Sequence, residues 1–152
     1  MVEIKPATYH DCLFLELDAR EEEVREVRRS HDQTIYQAAK QSIEQSYEAV
    51  SVWKDDKLLC ITGIVPIDDN VSCPWLLTTN ELKKHPKLLL KWTRYYVEKW
   101  NQMWPVLQNY IDAEYKESLR WAKWAGFEVY EPENGFCMIR RERWVPQYLL
   151  QF

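Results

Sequence analysis

The chain contains very little glycine: its 152 residues include only Gly63, Gly126 and Gly135. Loops that cradle phosphate groups on backbone N–H groups need glycine, because the phosphate oxygens approach too closely for a Cβ atom. Residues 64–125 contain no glycine at all. The central part of the chain therefore has no glycine-rich loop of the kind that binds nucleotides.

Other scarcities exclude further classes of protein. No apolar run approaches the roughly 18 residues of a membrane helix, so we expect no membrane association. The net charge is −4 with both signs interspersed, which argues against nucleic acid as a ligand because phosphate binding needs clustered Lys and Arg. The three histidines lack metal-ligand spacing, so no metal site is predicted. The cysteines form no CxxC pair and are typical of reduced thiols in a cytosolic protein; they are Cys12, Cys60, Cys73 and Cys137.

Aromatic residues, in contrast, are abundant. They make up 14% of the chain, with eight Trp and nine Tyr, which excludes intrinsic disorder and provides large core side chains or interface anchors. A chain of this length buries roughly 68–70% of the surface that its unfolded state exposes. We therefore assign residues 1–143 to one domain and residues 144–152 to a C-terminal extension.

The first third of the sequence predicts one strand and then helices. Residues 2–5 alternate apolar and polar residues, as an edge strand does. Thr8 with Asp11 predicts the N-terminal cap of a helix. A charged helix over residues 20–29 follows, with Val24 and Val27 as its thin apolar stripe. Asp32 is the predicted cap of a further helix that ends at residue 46.

The rest of the chain predicts strands at 47–53, 58–67 and 71–79, a long helix from Pro86, a strand at 106–113, a helix at 115–125 and a final hairpin. The long helix carries one buried stripe, formed by Leu89, Trp92, Tyr96, Trp100 and Met103. Gly126 should cap the last helix with a positive φ, so Gly126→Val should destabilise the fold more than Gly63→Ala.

The segment 109–127, in which an apolar strand and an amphipathic helix end at Gly126 and Phe127, resembles the C-terminal half of the GNAT N-acetyltransferase fold. The predicted order β-α-α-β-β-β-α-β-α-β-β matches that fold over nearly the whole chain. The resemblance implies an α/β (α+β) protein with a mixed, mostly antiparallel sheet and helices on both faces.

Shorter motifs are similar to one family in particular, the small tailed-phage proteins known as internal virion protein A or phage GNAT-like acyltransferases. The motifs are Leu77-Thr78-Thr79, His85-Pro86, Asn109-Tyr110 with Asp112-Ala113, and Arg120-Trp121 before Gly126-Phe127. The resemblance implies that the protein occurs in the host cytoplasm, in the virion, or in both. It also implies other phage virion proteins or a host protein as partners.

The resemblance also implies where acetyl-CoA would bind. GNAT enzymes hold its pyrophosphate on a glycine-containing loop between the fourth strand and the long helix, and the matching residues 78–86 contain no glycine. Lys83 and Lys84 with the hydroxyls of Thr78 and Thr79 are the candidate replacements. The alternative is an ordinary surface loop and no bound cofactor.

The resemblance to GNAT enzymes also implies a catalytic acid near the helix that ends at Gly126. GNAT enzymes often carry a Tyr five residues before the Phe that follows the helix-capping glycine, and Ala122 stands there in this chain. Tyr115, at the start of the same helix, is the candidate catalytic acid that would protonate the departing thiolate. The alternative is that Tyr115 only packs against the core.

Two functions follow from these patterns. The first is a phage GNAT-fold protein with a degenerate acetyl-CoA site, which acts in virion assembly or as an internal virion protein through protein binding. The alternative is an active acetyl-CoA-dependent N-acyltransferase that modifies a host or phage amine.

Overall fold

A computed structural model describes residues 1–144 of the chain. The helices are α1 (Tyr9–Asp18), α2 (Glu21–His31), α3 (Ile35–Gln45), α4 (Pro86–Met103) and α5 (Lys116–Trp124), and a short 3₁₀ turn spans Asn80–Lys84. The strands are β1 (Val2–Pro6), β2 (Glu48–Lys54), β3 (Lys57–Pro66), β4 (Val71–Thr78), β5 (Val106–Asp112), β6 (Glu128–Val129) and β7 (Phe136–Glu142).

The seven strands form one sheet in the order β1-β2-β3-β4-β5-β7-β6. Every neighbouring pair is antiparallel except β4 and β5. Those two strands run parallel and pair only at Val71 with Val106 and at Ser72 with Leu107. The predicted fold class, a mixed and mostly antiparallel sheet, is confirmed. Beyond these two pairs, β4 and β5 separate, and the sheet opens in its middle.

The helices cover both faces of the sheet, as predicted. On one face, α1, α2 and α3 bury Leu15, Val27 and Ala39 against Leu58, Ile61 and Leu77 of the strands. On the other face, α4 and α5 bury Tyr96, Trp100 and Ala122 against Leu107, Ile111 and Ile139. Side chains from both layers of helices line the opening between β4 and β5.

Several local predictions are confirmed by the backbone. Thr8 and Asp11 form a reciprocal capping box at the start of α1. Pro86 occupies the first turn of α4, where its missing N–H costs nothing. Gly126 has a φ of +92°, as a left-handed cap requires. On α4, Tyr96 and Trp100 are buried, whereas the other three members of the predicted stripe are half-buried (Leu89, Trp92) or exposed (Met103).

The predicted cap of α3 was wrong, and of the two valines in the predicted stripe of α2 only Val27 is buried. Thr34, and not Asp32, caps α3, because its hydroxyl accepts the backbone N–H of Gln37 and the Gln37 side chain bonds back to Thr34. Asp32 instead ends α2 in a left-handed conformation. Val24 is 38% exposed, while Glu23 is 3% exposed. The inner face of α2 therefore carries a carboxylate where the sequence suggested valine.

Residues 145–152, most of the predicted C-terminal extension, lie outside the described residues, and the boundary at residue 143 stays a prediction. Among residues 1–144, no helix has both the length and the apolar character needed to cross a membrane. The same residues contain no group of three or more His, Cys, Asp or Glu side chains placed to hold a metal ion.

Candidate active site

A cavity of about 100 Å³ occupies the opening between β4 and β5. Side chains from α2, β4, α4, β5 and α5 line it, so both helical layers contribute to its wall. Among the residues that bring polar groups to this wall are Glu23, Glu26, Thr78, Asn109 and Tyr115. The cavity is the place where a ligand can contact strand edges and both layers of helices at once.

Glu23 is the most unusual group in this wall. Its Oε1 accepts hydrogen bonds from the hydroxyls of Tyr115 and Thr78, each at 2.8 Å. Its Oε2 is buried and has no hydrogen-bond partner among the described residues. Burial raises the pKa of Glu23 to about 8, and the neighbouring charge of Glu26 adds to this, although the two hydroxyls and Arg20 oppose it. This carboxyl group therefore exchanges its proton near neutral pH.

Glu26 lies one turn further along α2 and is half-buried. Its Oε2 accepts the backbone N–H of Asp112 at 2.8 Å, at the end of β5. Burial raises the pKa of Glu26 to about 7, although that hydrogen bond from Asp112 lowers it. Two carboxyl groups with raised pKa values thus lie side by side on the helix that covers the opening.

Tyr115, the predicted catalytic acid, lies in the same wall. Its ring is buried, its hydroxyl donates to Glu23, and the Arg20 guanidinium lies 5.8 Å from the ring centre. Burial, and next the charge of Glu23, raise the pKa of Tyr115 above its ordinary value. The phenol therefore keeps its proton as a hydrogen-bond donor. Its catalytic role stays a prediction.

The hydroxyls of Thr78 and Thr79, predicted to bind the cofactor, both have partners inside the protein. Thr78 donates to Glu23. Thr79 is fully buried and donates to the carbonyl oxygens of Leu58 and Leu59, at 2.7 and 3.0 Å. Leu59 is the extra residue where the pairing of β2 and β3 shifts register, so Thr79 secures a bulge. Thr78 contacts the cavity, and Thr79 does not line it.

Lys83 and Lys84, which the sequence predicted to bind the cofactor together with these threonines, lie in different environments. Lys84 pairs with Glu81 at 3.3 Å on the surface. Lys83 lines a charged trough next to the cavity, formed with Arg20, Glu22, Glu114, Tyr115, Lys116, Glu117 and Arg120. The trough and the cavity share Arg20, Tyr115 and Glu117. The structure therefore brings Lys83, but not Lys84, beside Tyr115. Whether either lysine binds a cofactor stays a prediction.

Glu23 and Glu26 were not among the residues that the sequence singled out. Both belong to a run of charged residues that is typical of a solvated helix face. One signal was present: Glu23 lies four residues before Val27, a spacing that places both side chains on one helix face. Because Val27 is buried, Glu23 is buried with it.

No protein-family model matches this sequence, and no curated protein matches it by sequence. Solved structures do match. The PaiA N-acetyltransferase from Thermoplasma acidophilum, in complex with coenzyme A, is 16% identical over 93% of this chain and 99% of its own, with a TM-score of 0.63. The N-acetyltransferase PseH from Campylobacter jejuni, with acetyl coenzyme A, is 16% identical over 95% and 100% of the two chains, with a TM-score of 0.58.

A GNAT family acetyltransferase from Elizabethkingia anophelis, with acetyl-CoA bound, is 11% identical over 93% of this chain and 97% of its own, with a TM-score of 0.63. At identities this low, the likeness establishes the fold: the chain has the GNAT acetyltransferase fold. The comparisons give no support to the phage internal virion family, which stays a prediction from the short motifs.

Proposed function

We propose that the chain is an acyl-CoA-dependent N-acyltransferase whose reaction takes place in the opening between β4 and β5. The observation that carries the proposal is Glu23, a buried carboxyl group that lines this opening with one oxygen unpartnered among the described residues. Perturbed carboxyl groups in clefts are frequent at catalytic sites. The solved structures with this fold that contain coenzyme A or acetyl-CoA support the choice of acyl donor.

Acetyl-CoA would supply the thioester carbonyl carbon that the amine attacks. Glu23 takes a proton from the attacking amine, because its pKa of about 8 suits proton transfer near neutral pH. The new C–N bond forms as the C–S bond breaks. The amine proton neutralises Glu23 and so removes the charge that, after burial, raises the pKa of Tyr115. Tyr115 then donates its proton to the leaving sulfur as it takes one from Glu23 through their 2.8 Å hydrogen bond. The products are an amide and the free thiol, and Glu23 ends as it began.

The phosphate end of the donor needs a different explanation, since the loop between β4 and α4 contains no glycine. Lys83, Lys116 and Arg120 in the charged trough would hold the phosphates through side-chain charge. The three glutamates of the trough partly neutralise that charge. We therefore expect weaker binding of the donor than a glycine-containing backbone loop provides.

An acetyl-transfer assay with a broad panel of amines, which detects the released thiol, tests the proposal. Glu23→Gln keeps the size of the side chain and removes its base, so kcat/KM should fall roughly 10²- to 10⁴-fold. Tyr115→Phe should also lower it. Glu21→Gln, at an exposed position on the same helix, is the matched control and should leave kcat/KM unchanged. Absence of transfer by the folded protein, or full activity of Glu23→Gln, would contradict the proposal.

One observation favours a second candidate function, binding without catalysis. The outward face of α1 exposes Leu13, Phe14 and Leu17, the last at 84%, and exposed apolar patches mark interaction surfaces. Other phage virion proteins or a host protein are the proposed partners, in virion assembly or inside the virion. If the protein acts only by binding, the folded native protein should show no acetyl transfer, and Leu17→Ser should abolish association with the partner.

A further inference from the structure

The separation of β4 and β5 leaves backbone groups that neither strand can satisfy alone. The two strands pair at only two positions, beside the bond from Val106 N to Asn70 O at 2.9 Å, at the end of the strands away from the opening. Further along, the N–H groups of Tyr110 and Asp112 and the carbonyl groups of Pro74 and Thr78 bond side chains or a loop residue instead of the backbone of the opposite strand. Buried backbone polar groups of this kind need partners.

The side-chain amide of Asn109 fills the first of these gaps. Its Oδ1 accepts the N–H of Tyr110 at 2.7 Å, and its Nδ2 donates to the carbonyl oxygen of Pro74 at 2.6 Å. One amide group thus connects β5 to β4 at the point where the regular ladder has ended. It forms a hydrogen-bonded bridge between the two strands.

The far end of the opening is closed by other groups. Glu26 Oε2 accepts the N–H of Asp112, and the backbone N–H of Arg20 donates to Thr78 O at 3.3 Å. Between the two ends lies Leu76, which lines the cavity. Backbone groups alternate in direction along an antiparallel strand, so the groups of Leu76 point to the same side as those of Pro74 and Thr78, towards the opening.

We propose that Asn109 is a latch which an amide-bearing ligand displaces as it enters between β4 and β5. An extended chain with its own amide groups can take over the contacts to Pro74 O and Tyr110 N and add contacts to Leu76, as a strand does when it joins a sheet edge. The pantetheine arm of an acyl-CoA carries two such amides. This choice of ligand rests on the proposed function, whereas the latch itself follows from the hydrogen bonds of Asn109.

The latch predicts an effect opposite to that of a residue that binds the ligand. Because the ligand must break the two hydrogen bonds of Asn109, their removal in Asn109→Ala should tighten binding. One net hydrogen bond changes an equilibrium constant roughly fivefold, so we expect roughly a fivefold lower dissociation constant. The free variant should also melt at a lower temperature than the native protein, because the strands lose their bridge.

Titration calorimetry of the full chain with three probes tests the latch. Coenzyme A and pantetheine both carry the amides, and adenosine 3′,5′-bisphosphate carries phosphates without them. The gain in affinity of Asn109→Ala should appear for the first two probes and be absent for the third. Gln108→Ala is the matched control, because Gln108 is the neighbouring residue on β5 and its side chain bonds Arg140 at 3.1 Å instead of lining the cavity. It should bind all three probes as the native protein does.

Asn109→Asp is the second variant, for the case in which Asn109→Ala fails to fold. It still accepts the Tyr110 N–H but cannot donate to Pro74 O, so it should also bind pantetheine more tightly than the native protein. Unchanged or weaker binding of pantetheine and coenzyme A by the folded variants would overturn the latch and leave the proposed function standing. No binding of coenzyme A by any variant would overturn both.

Discussion

Replacement of Glu23 by Gln should change how the stability of the protein depends on pH. In the folded chain the pKa of Glu23 is raised from an ordinary 4.5 to about 8, chiefly by burial. A raised pKa means that the folded state holds a proton which the unfolded state releases. The stabilisation of the folded state by this bound proton is complete below pH 4.5. It is lost as the pH rises through about 8, the pKa of Glu23 in the folded state.

The magnitude follows from the difference in bound protons. Each additional proton held by the folded state lowers the free energy of unfolding by about 1.4 kcal/mol per pH unit. Between about pH 5.5 and 7.5, Glu23 should therefore account for a loss of about 2.5 kcal/mol. Glu26, with its pKa raised to about 7, adds a loss of the same sign. Gln cannot ionise, so Glu23→Gln should be more stable than the native protein at the upper end of this range.

Urea denaturation at a series of pH values measures this directly. The native protein should lose stability steadily as the pH rises, Glu23→Gln should lose less, and the control Glu21→Gln should behave as the native protein does. Equal slopes for the native protein and Glu23→Gln would refute the reasoning, because they would show that Glu23 has the same pKa in both states.

Two further predictions concern the packing and charges that position the site. Trp100 is 1% exposed, whereas Trp92 is only half-buried. Trp100→Ala should therefore lower the free energy of unfolding by about 3–5 kcal/mol, and Trp92→Ala should lower it by less. Equal losses for the two variants in a denaturant titration would contradict this prediction. Arg29 pairs with both carboxylate oxygens of buried Asp112, at 2.9 and 2.8 Å. Arg29→Ala should cost about 2 kcal/mol, below the cost for a fully buried pair because Arg29 is partly exposed. The exposed control Arg28→Ala should cost almost nothing in the same titration.

The sequence predicted those parts of the fold that depend on neighbouring residues. The capping box of α1, the start of α4 at Pro86 and the left-handed Gly126 are local features, because each rests on the backbone chemistry of one turn. The order of elements was sufficient to suggest the GNAT fold, which the structural comparisons confirm.

The site depends on contacts between distant residues, and the sequence did not reveal it. Glu23 is hydrogen-bonded to Tyr115, which lies 92 residues further along the sequence. Asn109 is hydrogen-bonded to Pro74, which lies 35 residues before it. Neither contact follows from the residues nearby. The same limit affected the expectation for Gly63: a Cβ atom there would lie 2.7 Å from Trp75 Nε1 and 2.8 Å from the Glu48 carbonyl oxygen. Gly63→Ala is therefore not the mild substitution that its strand position suggested.

The melting temperature of the native protein in the presence of acetyl-CoA tests the central claim most directly. A ligand that binds only the folded state, at 100 times its dissociation constant, stabilises it by about 2.7 kcal/mol. For a domain of this size that corresponds to an increase of roughly 8 °C in melting temperature. We predict an increase of that order at millimolar acetyl-CoA, and a melting temperature that stays constant up to several millimolar would contradict the account.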